Sequence, residues 1–147
     1  MSSIEENLAR AVAELQALER AISELQSNIA TLRALLNEYE GAISLIEELK
    51  KHKDAVKILV PIGGGNFLHA EVKELQDIQV SLGAGVMMKQ PLDRGYELMK
   101  KRKENIGKAI EIYENRITQY AQRAEELRRL VEALSARLRE RQKAESE

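Results

Sequence analysis

The sequence predicts a mainly α fold with a small β insert: a long antiparallel coiled-coil helical hairpin with two β-hairpins at its base. Three observations predict it. Apolar residues recur at alternating spacings of four and three along both ends of the chain. Both prolines and five of the eight glycines (63, 64, 65, 83 and 85) lie between residues 56 and 91, while the flanks are nearly free of helix breakers. The 147 residues are 32% charged and only 3% aromatic, a composition of solvent-bathed helices rather than of a compact globule.

The first element is an N-terminal coiled-coil helix over residues 1–53. Its seam is Ile4, Leu8, Ala11, Leu15, Leu18, Ile22, Leu25, Ile29, Leu32, Leu36, Tyr39, Ile43 and Ile46. It ends in Lys50-Lys51-His52-Lys53, which reads as a dipole-matched helix end rather than a phosphate site. The last element is a C-terminal coiled-coil helix over residues 93–147, with Asp93 as the expected N-cap. Its seam is Tyr96, Met99, Lys103, Ile106, Ile110, Tyr113, Ile117, Tyr120, Ala124, Leu127, Val131, Leu134 and Leu138, broken only by Lys103. Pairing residues whose numbers add to 142 sets an a position against a d position at every layer, Ile4 with Leu138 and Ile46 with Tyr96. A shift of one heptad keeps the same pattern, so the register stays open. Equal seam lengths favour one elongated domain folded back on itself, with both termini at one tip, roughly 65 Å from the insert at 1.5 Å per residue.

Residues 54–92 read as two β-hairpins. Val56-Lys57-Ile58-Leu59-Val60 stops at Pro61, Gly63-Gly64-Gly65-Asn66 turns, and Phe67 to Val72 returns. Ile78 to Leu82 alternates, Gly83-Ala84-Gly85 turns, and Val86 to Lys89 returns. Two such hairpins have little core and open edges, so they are expected to need other chains. The residues expected to make those contacts are Val56, Ile58, Val60, Phe67, Leu68, Ile78, Val80, Val86 and Met88.

Several function classes drop out. A net charge of −1 provides no basic field for nucleic acid or an anionic membrane. There is no cysteine, and with His52 and His69 the only histidines no metal site is expected. The start, Met1-Ser2-Ser3-Ile4-Glu5-Glu6, has no apolar core of a secretory signal, and no stretch is apolar enough to span a membrane, so a cytoplasmic setting is expected. The glycine run lacks a following Gly-Lys-Ser/Thr, and neither a nucleophile–base pair nor a carboxylate dyad can be picked out, so no enzyme and no cofactor are expected.

Some apolar residues lie off the seam. Leu45, Leu49, Leu98 and Ile112 sit towards the insert and are expected to pack on hairpins or neighbours. Val12 and Leu130 widen the apolar surface near the other end. Ordinary coil packing accounts for that widening; so does a contact zone for a partner lacking structure of its own.

Long heptad helix, Val60-Pro61-Ile62-Gly63-Gly64-Gly65-Asn66-Phe67, Ser81-Leu82-Gly83-Ala84-Gly85-Val86, long heptad helix: over nearly its whole length the chain resembles an archaeal-type prefoldin alpha subunit. Two hairpins mark the alpha class, since the beta class has one. The resemblance implies that the hairpins join an oligomeric β-barrel in a hexamer of two alpha and four beta subunits. It implies ATP-independent capture of unfolded client proteins and their transfer to a group II chaperonin. Fraying of the terminal layers would offer clients Ile4, Leu8, Val12, Leu15, Leu127, Leu130, Val131, Leu134 and Leu138. A structural coiled-coil tether or assembly scaffold without chaperone activity is the alternative; suppression of client aggregation separates the two.

Overall fold

The computed structural model describes residues 3–147. In chain order the elements are helix α1 (Ser3–Lys50), strands β1 (Val56–Gly63), β2 (Asn66–Val72), β3 (Asp77–Gly83) and β4 (Val86–Pro91), and helix α2 (Leu92–Ser146). Each pair of consecutive strands forms its own antiparallel two-stranded sheet. By internal contacts the chain divides into two units, Met1–Arg33 with Lys108–Glu147, and Ala34–Gly107.

In the first unit the heptad seam is closed. Ala11, Leu25, Ile29, Ile110, Ala124, Leu127 and Leu134 are buried. Ion pairs flank the seam and decide the register. Glu14 accepts from Arg123 at 2.9 Å and Glu19 from Arg128 at 3.2 Å, while Arg33 pairs with Glu114. Pairing on 142 requires flanking pairs whose numbers add to five less or five more, and these three pairs do so. Sliding by a heptad would separate each pair by about 10 Å. The Glu14 carboxylate, through its hydrogen bond and charge, pushes the Arg123 pKa further up.

The second unit holds the hairpins and their support. Its core is Ile43, Ile46, Val80, Leu92 and Met99, with Tyr39, Leu49, Ile78, Tyr96 and Leu98 packed around it. Hairpin β3–β4 therefore inserts Val80 and Ile78 among the seam residues of both helices. Gly95 makes this possible, because a Cβ there would lie 2.2 Å from Ile78 Cδ1. Burying Val80 contributes about 1.5–3 kcal/mol. Hairpin β1–β2 supplies no residue to this core.

The two hairpins share one turn design, twenty residues apart. The register skips Ile62 in the first and Leu82 in the second, leaving each as an extra residue before a glycine of positive φ. The two-residue loops, Gly64-Gly65 and Ala84-Gly85, have positive φ at both positions, as a type I′ turn requires. Asn66 Nδ2 reinforces the first turn by donating to the Gly63 carbonyl at 3.2 Å.

Local boundaries differ from the sequence expectation in three places, the first being the end of α1 at Lys50 rather than at residue 53. β1 does not stop at Pro61, which instead pairs with Phe67, since a two-stranded ribbon leaves a position where no donor is needed. Asp93 is not the N-cap. Leu92 already opens α2, its N–H donating to the Gln76 carbonyl at 2.8 Å, and Asp93 in the first turn pairs with Lys50 at 2.8 Å.

Candidate interaction surfaces

In β1 the run Ile58-Leu59-Val60 breaks strict alternation, so apolar side chains fall on both faces of its hairpin. One face carries Val56 opposite Val72, Ile58 opposite Ala70 and Val60 opposite Leu68. The other carries Leu59 opposite His69 and Pro61 opposite Phe67. On that second face Leu59 is 57% exposed and Phe67 58%, while on the first Val60 and Leu68 are exposed and Val56, Ile58, Ala70 and Val72 half-buried.

Of the nine residues expected to contact other chains, Val60, Phe67, Leu68, Val86 and Met88 are exposed, and Val56 and Ile58 are half-buried. Val80 and Ile78 are occupied instead in the chain's own core, Val80 being only 1% exposed. Exposed Leu59, Ile62, Leu82 and Met87 were not among the nine. The non-alternating run signals Leu59, and the position just before a turn glycine signals Ile62 and Leu82. Met87 had no such signal.

A clasp closes the base of the coil. The Tyr96 hydroxyl donates to Glu47 at 2.8 Å, Lys50 Nζ lies 3.9 Å above the Tyr96 ring, and Lys50 also holds Asp93. The hydrogen bond to Glu47 pushes the Tyr96 pKa above its ordinary value. At the end of α1, hydrogen bonds from His52 and then Lys51 hold the Glu48 carboxyl below its usual range.

The residues expected at the termini all lie in the first unit. Leu127 and Leu134 are buried in the seam; Ile4, Leu8, Val12, Leu15, Val131 and Leu138 are half-buried; Leu130 is exposed. Among the off-seam residues, Leu49 and Leu98 pack on the core below β3–β4, whereas Leu45 and Ile112 are exposed. Among the described residues no cluster of acidic or histidine side chains could hold a metal ion, and no helix is long and apolar enough to cross a membrane.

Two long heptad helices paired antiparallel, with one β-hairpin docked on them and the other outside their core, define a coiled-coil protein whose exposed apolar surface lies mainly on its β-hairpins. The prefoldin subunit family model matches residues 18–137, and the chain belongs to the prefoldin family, a family of chaperones that assemble with one another. It is 29% identical to the prefoldin subunit alpha of Methanococcoides burtonii, over 84% of this chain and 90% of that one. It is 30% identical to the prefoldin subunit alpha of Methanosarcina barkeri, over 80% and 84%. Its fold is that of a chain in a cryo-EM structure of filamentous PFD from Methanocaldococcus jannaschii, with a TM-score of 0.65 and 17% identity over 78% of this chain and 95% of that one.

Proposed function

We propose that the chain is the alpha-type subunit of an ATP-independent holdase of the cytoplasm. It joins four beta subunits and a second alpha subunit through its hairpins, captures unfolded clients at the coil ends, and passes them to a group II chaperonin. The observation that carries this reading is hairpin β1–β2, which presents apolar residues on both faces and buries none of them in the chain's core. Apolar surface on that scale belongs in an interface. The half-buried terminal seam, with Leu130 exposed beside it, supports client capture there: terminal layers lack neighbours and open most readily. Each end binds weakly, and joining several in one assembly raises their effective concentration.

The test is suppression of aggregation of a chemically denatured model protein by the assembled hexamer, with and without ATP and magnesium. Leu8, Val12, Leu130 and Leu134 changed together to serine should markedly lower suppression while the hexamer survives. Nucleotide should change nothing. Equal loss from serine at the mid-coil positions Gln26 and Gln122 would place the client site elsewhere. In a second arm, Val60→Lys should release the oligomer with helix content intact; an unchanged mass by light scattering would refute the hairpin interface.

A further inference from the structure

The unit Ala34–Gly107 has an open groove of about 1060 Å³ along the coil. Leu36, Ile43 and Tyr96 line its apolar part, and Gly107 stands in its wall. Glycine weakens a helix interior, so its presence calls for a reason. Gly107 has no positive φ, and no atom lies within 4 Å of where its Cβ would be, so neither backbone geometry nor internal packing supplies one. A missing side chain here does keep the groove wall low.

The charges of the wall are unbalanced. Arg94 and Lys101 have no ion-pair partner among the described residues, and Lys100 meets only the Tyr96 ring, at 5.2 Å. Lys103 is satisfied by Glu40 at 3.6 Å, Glu47 accepts from Tyr96, and Glu104 is engaged within the chain. Glu97, and Glu47 whose bond from the neutral Tyr96 hydroxyl leaves its charge in place, stand as two carboxylates against three cations. Elsewhere along the coil the guanidinium groups of Arg33, Arg123 and Arg128 each meet a carboxylate on the opposite helix. Arg94, Lys100 and Lys101 meet no carboxylate in this way.

We propose that the groove lined by Leu36, Ile43, Tyr96 and Gly107, and walled by Arg94, Lys100 and Lys101, docks an acidic amphipathic helix of a partner protein. A third helix laid along the pair would place an apolar stripe on the floor, and its glutamates would meet the three cations. Gly107 lets that helix approach the backbone of α2.

The probe is a fluorescein-labelled, helix-forming peptide of about 18 residues with leucines in one stripe and glutamates elsewhere. Its fluorescence anisotropy is read against the full chain in its purified assembly. Saturable binding is expected, lost when the same residues are scrambled or when lysines replace the glutamates. Arg94→Glu with Lys100→Glu and Lys101→Glu should weaken it by at least about tenfold. Gly107→Leu should weaken it by filling the groove, and Gly107→Ala less so, with thermal melting confirming that each variant folds. No binding to the wild type, equal binding of the scrambled or lysine peptide, or unchanged affinity in both the charge-reversal and Gly107→Leu variants overturns the proposal.

Discussion

The two hairpins are close to a controlled experiment. Both carry a β-branched residue at the same place, Val60 and Val80, followed by one paired residue, an extra residue, a glycine and a two-residue loop of positive φ. Yet Val80 is 1% exposed and Val60 36%. The difference lies outside the hairpins. Gly95 opens a gap in α2 into which Ile78 and Val80 fit, and the Leu92 N–H bond to Gln76 ties the entry of β3 to the start of that helix. Hairpin β1–β2 follows α1 after a turn closed by the Lys51 and His52 N–H groups and has no comparable seat. Equal local design thus gives one hairpin a seat in the chain's core and the other none.

The largest effect that would break this contrast is at Gly95. Gly95→Val should force Ile78 out of its seat and destabilise the protein by about 3 kcal/mol. Hydrogen exchange should rise in β3–β4 and stay unchanged in β1–β2; equal acceleration in both would refute the asymmetry. Next comes the matched pair of truncations. Val80→Ala should lower stability by about 2 kcal/mol, whereas Val60→Ala should change the isolated chain by less than about 0.5 kcal/mol. Chemical denaturation at low protein concentration measures both, and similar values would mean that both hairpins are docked.

A smaller effect separates the turns. Ala84 holds φ 51 without the freedom of a glycine, where its counterpart Gly64 sits at φ 60. Ala84→Gly should therefore stabilise by about 0.5 kcal/mol and Gly64→Ala destabilise by about 1 kcal/mol. Opposite signs in thermal melting are expected; equal signs would mean that the two turns respond alike at this position. The smallest effect is at the clasp beneath the hairpins. Because the Tyr96 pKa is raised, its hydrogen bond to Glu47 is fully present below the ordinary value of 10.0 and is lost as pH rises through the folded value. The difference in phenolate absorbance between wild type and Tyr96→Phe should accordingly have its midpoint above 10.0. A midpoint at or below that value would mean the clasp is open.

Whatever depends on neighbours along the chain was legible in the residues. The 4-3 repeat makes two coiled-coil helices because side chains three and four apart share a helix face. The turn glycines close the hairpins because the loops need positive φ, and the breaker-rich stretch places them between the helices. Tertiary structure decided what depends on contacts across the chain. Both heptad registers satisfy the seam, and only the flanking charges of Glu14, Glu19 and Arg33 with their partners select between them. The sequence places Val60 and Val80 alike, each three residues before the first glycine of the same turn. Their burial separates because a glycine fifteen residues beyond Val80 leaves room on α2, and no local pattern records a gap that a distant side chain will fill.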